Sequence, residues 1–487
     1  MGIVVKQSSI NTLIIFLAFA IGGINTLFLY TSFLEPKYYG LVVFLLSAAN
    51  LLMPITAFGV HHTIIKFFSS YQTKQEKDIF LLFVVILPLF IAIPIGFLGD
   101  IFFKEIADFL SVKNSLIKEY VPIIYWVAIA TAYFEVFYSW ARVQLQSVFG
   151  NAVKELYHRI STMILLVLLG LKIIDVNLFI WLIAASYLIR LLLMIWYAFS
   201  VYKPKLTFKI PTNYKEVLQF CAYIVLAGSA SVILLDIDKV MIPRKEAIEL
   251  AAYYTVGVFI ASVVEAPNRA MTQILQPLTS KAIQENNWIE VKSLYKRSSI
   301  NLLLICGLFF LLINCNIEEM YKLVPKKEYA KAVQIVLMIS IAKLFLTSLG
   351  NSTDIISNSK FYKFLLPYGV TMAIAVTLLN NKLITEYGMN GAALATLIVV
   401  LLFNICKLFY VKYRFNMQPF SFKSFQLLLV LIAFFIGFYY WDFPFHPIIN
   451  IGLKTILISF MYLFLVVKMK ISNEVNSILM KYLKSYK

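Results

Sequence analysis

Long apolar runs recur along the chain with short polar breaks between them, and run length decides what each can be. A bilayer core about 30 Å thick is crossed by roughly 20 helical residues rising about 1.5 Å each. Fourteen runs qualify, near residues 9–33, 38–60, 78–101, 118–141, 155–174, 177–201, 215–237, 248–273, 298–316, 331–351, 361–380, 389–411, 424–441 and 447–467. The pattern predicts an all-α polytopic membrane protein of about 14 transmembrane helices. Its weakest break is "KIID", which alone separates the fifth run from the sixth. The first run follows a single lysine, exceeds a signal-peptide core and lacks a small-residue cleavage site, so it is expected to be the first span. An even number of spans places both termini on one side.

Lysine and arginine placement orients the helices, because basic residues are retained in the cytoplasm. With the N-terminus inside, inner segments hold 25 of the 43 basic residues, outer segments 13 and the spans five. Acids reinforce this, with 8 inside, 14 outside and 3 in the spans. Most of the net charge of +18 is therefore topology. Inner loops such as "VYKPKLTFKIPTNYK" suit anionic membrane lipids, and no nucleic-acid partner is needed. Both termini are expected to be cytoplasmic, in a multi-pass protein of the inner membrane. Two cytoplasmic stretches read as surface-lying amphipathic helices: "KAIQENNWIEVKSLYKR" and the tail "ISNEVNSILMKYLKSYK", where Ile471, Val475, Ile478, Leu479, Tyr482, Leu483 and Tyr486 recur at helical spacing.

Composition excludes a soluble globular fold: 61% of the 487 residues are hydrophobic, 14% are charged and the mean hydropathy is +0.82. Four cysteines without CxxC spacing and four scattered histidines give neither a disulfide framework nor a metal site. No catalytic motif stands in a workable context. The chemistry must lie in charges that cost about 2.5–3.5 kcal/mol each at a helix centre.

With edge residues counted in the loops, the spans hold eight such charges: Glu135, Arg190, Asp236, Glu265, Arg269, Lys343, Lys407 and Lys454. Asp236, Glu135 and Lys407 lie near span ends and are expected to snorkel to water. Arg190 and Lys343 are central in spans six and ten with no acid one turn away, so each needs a distant partner or a wet cavity. An interhelical pair with Glu265 and cavity lining are equally open, since one carboxylate cannot neutralise two cations. Lys454, outside the first twelve spans, is expected to face a lipid groove. Interruptions mark candidate hinges: Pro54, Pro88, Pro94, Pro267 and the pair Gly22–Gly23. Each reads equally as a static kink. Glu265 and Arg269 are one turn apart around Pro267, so that stretch reads as a hinge with an internal ion pair.

An internal repeat divides the chain. "KYYGLVVFLLS" (37–47) and "AYYTVGVFIAS" (252–262) align at an offset of 215 and open spans two and eight. The expected divisions are a six-helix lobe at 1–201, a cytoplasmic linker at 202–214, a second six-helix lobe at 215–411, two further helices at 412–470 and the tail at 471–487.

Three stretches carry a resemblance: "FLEPKYYGLVVF" (33–44), "LLDIDKVMIPRKEAIELAAYYTVGVFIASVVEAPNRAMTQILQPLTS" (234–280) and "GMNGAALATLIVVLLFNICKLFYV" (388–411). The chain resembles the polysaccharide and oligosaccharide-lipid flippases, O-antigen flippases among them, of the multidrug/oligosaccharidyl-lipid/polysaccharide exporter superfamily. The resemblance implies two six-helix lobes around a central cavity that opens alternately to either side. It implies an undecaprenyl-pyrophosphate-linked oligosaccharide as cargo, moved across the cytoplasmic membrane without covalent chemistry, and other surface-polysaccharide assembly proteins as partners. It matches Asp238–Lys239 to a gating or structural pair at the outer end of span seven.

Surplus positive charge suits a pyrophosphate, with Arg190, Lys343, Arg269, Lys407 and Lys454 as candidate contacts. No cofactor is expected, though a proton or sodium ion could couple through Glu265, Glu135 or Asp236. A drug or cation antiporter of the same fold would favour unpaired acids, whereas cations outnumber acids five to three in these spans. A lipid II flippase is expected to carry an extra pair of spans and an arginine cluster in its first half, neither of which is evident. A glycan polymerase or ligase should show a large outer loop, but residues 102–117 and 317–330 are short and carry no histidine.

Overall fold

The computed structural model describes residues 3–207, 209–472 and 474. Every regular element among the described residues is helical. Twelve helices are long and apolar enough to cross a membrane. The difference from fourteen apolar runs has two sources. Residues 361–380 and 389–411 fall in one continuous stretch, interrupted where Gly388 adopts φ +56° and ψ −138°. That backbone is open to glycine and strained for other residues. The fifth run begins earlier than its apolar residues suggest and carries Lys154, Glu155 and Arg159.

The chain divides into two compact units, Met1–Ala252 and Tyr253–Lys487. The first contains α1 (Ile3–Ile24, prolonged through a π-helical turn Asn25–Leu29 to Tyr30–Phe33), α2 (Pro36–Thr56), α3 (Val60–Phe67), α4 (Lys74–Ile101), α5 (Phe103–Leu110) and α6 (Val121–Val143). It continues with α7 (His158–Gly170, entered through Val148–Ala152 and a π-helical turn Val153–Tyr157), α8 (Val176–Val201) and α9 (Tyr214–Lys245). Helix α6 packs against α2, α3 and α8. Its Ala128, Ala130 and Ala132 are buried, and such small residues let backbones approach where lipid supplies no hydrophobic drive. Around it Val60, Ile64, Phe80, Phe134, Trp140 and Met194 form an apolar core.

The division falls later than the 202–214 linker because α9, which the repeat places in the second half, packs along α2. Ser47 Oγ and Asn50 Nδ2 of α2 donate to the Asp236 carboxylate at 3.2 and 3.1 Å. Beyond α9, Asn114 Nδ2 donates to the carbonyls of Pro243 and Glu246, and its Oδ1 accepts from Ile248 N–H. A Cβ built on Gly40 would stand 2.0 Å from the Ile248 carbonyl oxygen, so α2 meets this segment at backbone contact.

The second unit contains α10 (Glu249–Ser262, whose first turn spans the division), a 3₁₀ turn Val263–Glu265, α11 (Ala266–Gln284), α12 (Trp288–Asn314), α13 (Val333–Ser348), α14 (Leu365–Phe415), α15 (Phe422–Tyr439) and α16 (Pro447–Lys468). Helix α12 packs against α11, α13, α15 and α16. Buried polar bonds pin it: Asn351 Nδ2 donates to Thr279 Oγ1 at 2.6 Å, and Ser298 Oγ donates to Asn351 Oδ1 at 3.2 Å. Tyr462 of α16 donates to the Leu304 carbonyl at 2.9 Å, which ties the last two helices to this unit.

One expected surface feature changes. The stretch 281–297 is no separate amphipathic helix: it ends α11, turns at 285–287 and begins α12. Residues 475–487 of the tail lie outside the described residues; before them, Glu474 pairs with Arg297 and accepts from Asn301 Nδ2 at 3.3 Å. Pro267 stands at the start of α11 just after the 3₁₀ turn, whereas Pro54 lies inside α2. Gly22–Gly23 lie in α1 immediately before its π-helical turn.

The Gly40 contact yields a test. Gly40→Ala is expected to lower stability by about 1–3 kcal/mol, the usual cost of overpacking a closed contact, and thermal unfolding of the purified protein in detergent measures it. An unchanged midpoint would mean that α2 can move away from Ile248 freely.

Candidate functional site: buried charges of the two units

In the first unit the central charge is Arg190 on α8, 6% exposed. Its Nη2 donates to Thr131 Oγ1 of α6 at 3.3 Å, and the guanidinium lies 4.4 Å from the Phe134 ring centroid and 4.8 Å from that of Tyr187. Its buried Nε has no hydrogen-bond partner. No carboxylate forms an ion pair with Arg190 among the described residues. Aromatic faces attract a guanidinium but leave its net charge uncompensated.

Around it the bundle gathers further charge. Glu135 of α6, expected to snorkel, instead pairs with Lys154 at 2.7 Å, its side chain 13% exposed. Glu155 pairs with Arg159 at 2.8 Å. Arg142 lies over the Tyr138 ring. The buried ring of His158 lies against Tyr187, and His61 and His62 face each other at 4.2 Å. Counting Arg142, Lys154, Arg159 and Arg190 against Glu135 and Glu155, this set holds four cations and two acids.

Sequence reasoning placed Lys154, Glu155 and Arg159 with the inner loops, because they lie before the apolar residues of the fifth run. The π-helical turn brings them into the bundle. A π turn adds a residue to the helix and re-aims side chains, often at functional sites.

At the far end of α9, Asp236 accepts from Ser47, Asn50 and Lys239, the last at 2.8 Å. It is buried rather than snorkelling, and Lys239 pairs with it. Asp238 is itself buried, 4% exposed.

In the second unit Lys343 of α13 lies 2.5 Å from the Glu265 carboxylate, both side chains about four-fifths buried at 23% and 17% exposure. This settles Lys343 as one half of an interhelical pair. Glu265 gives its carboxylate to a neighbouring helix, where spacing along its own predicted Arg269, which is exposed. The structure thus ties the 3₁₀ turn to α13 through Glu265 and Lys343. Lys407 does not snorkel either: it is 4% exposed and donates to Thr353 Oγ1 at 3.2 Å. Nearby Asp354, in the short Ser352–Ser357 helix, has its carboxyl raised by burial against the opposing pull of Lys407. Lys454, expected at a lipid groove, is 1% exposed and pairs with Asp442 at 2.9 Å, closing the α15–α16 hairpin.

The structure therefore separates the five candidate cations. Lys343 and Lys454 have carboxylate partners, Arg269 is exposed, Lys407 is held by a threonine, and Arg190 is buried without an ion-pair partner.

The helical architecture is that of flippases and transporters. It superposes on the lipid II flippase MurJ in an inward closed conformation with a TM-score of 0.74 at 15% identity, covering 95% of this chain and 99% of that one. An inward-facing multidrug resistance MATE family transporter of the MOP superfamily matches at 0.57 and 14% identity, over 85% of this chain and 98% of that one. A MATE protein in the straight conformation matches at 0.53 and 13%, over 85% and 96%. At such identities the likeness is one of fold. Residues 4–282, more than half of the sequence, match the family described as polysaccharide biosynthesis protein, and the chain belongs to that family. No curated protein matches it. The objection that a lipid II flippase needs extra spans falls, because the chain covers 99% of that flippase.

Lys343→Gln is expected to destabilise the second unit by about 2–4 kcal/mol, because it strands the largely buried Glu265. The double variant Lys343→Gln/Glu265→Gln should lose less than the single one, as read by thermal unfolding in detergent. Additive losses would show that the two side chains are not coupled.

Proposed function

We propose that the protein is an alternating-access flippase that carries an undecaprenyl-pyrophosphate-linked oligosaccharide, an O-antigen or other surface polysaccharide unit, across the cytoplasmic membrane. The observation that carries this reading is Arg190: a guanidinium buried among spans, with an unpartnered Nε and no ion-paired carboxylate. A buried charge without a partner costs several kcal/mol, and an arriving phosphate supplies both the counter-charge and two parallel hydrogen bonds. With Arg190 itself included, the surplus of two cations in this cluster matches a pyrophosphate bearing roughly two negative charges.

The acids of the spans support the same cargo. Glu135, Asp236 and Glu265 are each held by a lysine, through Lys154, Lys239 and Lys343. A cationic drug would have to displace these lysines before meeting a carboxylate, so this arrangement disfavours the antiporter reading.

Release at the opposite face requires that affinity differ between the two states. Lys154 is suited to this: when free it adds to the anion's field, and when paired with Glu135 it withdraws. Coupling to a proton or sodium ion belongs to the same proposal, since neutralising Glu135 or Glu265 would free its lysine. Surface-polysaccharide assembly proteins are the partners that would make the cargo and receive it.

Arg190→Gln is expected to reduce surface glycan display at least about tenfold with unchanged protein abundance in the membrane, and Arg190→Lys to retain part of it. Depletion should leave short lipid-linked oligosaccharides on the inner leaflet. Accumulation on the outer leaflet would instead indicate a polymerase or ligase, and full display in Arg190→Gln would remove the guanidinium from the pathway.

A further inference from the structure

One end of the second unit holds a cavity of about 1030 Å³, formed by the connection that follows α12, the start of α13, the residues after the Gly388 break and the end of α15. Pockets for small ligands run from roughly 300 to 1,000 Å³, so this one accommodates an extended molecule rather than an ion. In the orientation expected from the basic residues, this is the outer end.

Its lining is specific in kind. Lys322, Lys327 and Lys331 line it together with Glu318, a surplus of positive charge. Glu319 restrains Lys322, and Lys331 Nζ lies 5.8 Å from the Tyr253 ring centroid. Asn390 Nδ2 donates to Gln334 Oε1 at 3.2 Å, which leaves the Asn390 Oδ1 buried with no partner. Tyr321 also lines the cavity; its side chain is 3% exposed and its hydroxyl is buried without a partner. A buried phenol without a partner is a costly arrangement, which a ligand's hydroxyl relieves once the side chain turns into the cavity.

We propose that this cavity binds an acidic oligosaccharide, with the lysines taking its carboxylate or phosphate groups and Tyr321, Asn390 and Gln334 exchanging hydrogen bonds with its hydroxyls. Lysine contributes point charges without the fixed fork of arginine, which suits a ligand that is captured and released. Amide pairs and a phenol each donate and accept, as sugar hydroxyls do. The choice of a saccharide rests on the proposed glycan cargo; the capture of an anion rests on the lysines alone.

The test titrates the purified full-length protein, in lipid nanodiscs with and without phosphatidylglycerol, with tetragalacturonate or the neutral maltotetraose, read by isothermal calorimetry. Tetragalacturonate is expected to bind about tenfold more tightly than maltotetraose. Lys327→Gln/Lys331→Gln should weaken it about tenfold, Tyr321→Phe several-fold, and Lys327→Arg should retain it. Equal affinities for the two sugars, or binding unaffected by the paired lysine substitution, would overturn the proposal. So would binding only in discs without phosphatidylglycerol, which would make a lipid headgroup the occupant. Absence of binding refutes this site while leaving the glycan-display result for Arg190 intact, so the two readings fail separately.

Discussion

Every other feature of this chain follows from the cost of holding charge where there is no water. In a bilayer a backbone satisfies itself by becoming helix, but a charged side chain needs a partner. The structure meets that demand repeatedly: Glu135 with Lys154, Asp236 with Lys239, Glu265 with Lys343, Lys454 with Asp442. The Asp236–Lys239 pair closes within one helix, whereas the other three join segments that apolar packing alone would leave free to slide. Among the described residues Arg190 departs from this rule, cushioned by two aromatic rings and one hydroxyl, and so does Lys407, held by the Thr353 hydroxyl. A buried charge left without a counter-charge while its neighbours are compensated is where an arriving anion would gain most, which is the basis of the proposal made for Arg190.

The helix irregularities serve the same accounting. The π-helical turn Val153–Tyr157 delivers Lys154 to Glu135, and the 3₁₀ turn Val263–Glu265 delivers Glu265 to Lys343. In both units a break from regular α-helix carries one half of an ion pair. Irregular backbone at membrane depth is tolerable where it is buried in protein, and here its side chains help hold the neighbouring helices. Proline reinforces the second break, since Pro267 at the start of α11 lacks the N–H that a continuous helix would require.

The polar pins have a different job. Asn114, Asn351 and Ser298 satisfy backbone or side-chain groups at helix ends and fix neighbouring segments without net charge. Such bonds are worth about 1 kcal/mol each when made and more when lost. In the first compact unit Asn114 holds the end of α9, which lies along α2 although the repeat counts α9 with the second half.

The sequence by itself determined the all-helical membrane fold, because twenty apolar residues in a row have no other stable form in lipid. It determined most spans and the family resemblance, and it singled out Arg190 and Lys343 as central. It could not say which of the two was neutralised. That depends on whether a carboxylate from a distant segment comes within reach, and helical spacing reports only on neighbours one turn along the same helix, which is why Arg269 looked like the partner of Glu265. It also could not include Lys154 and Arg159 in the charge cluster, because hydropathy ends a span at its first charges while the helix continues through them. Tertiary packing decided both points, since an ion pair is a matter of distance in space and a few ångströms separate a compensated charge from an open one.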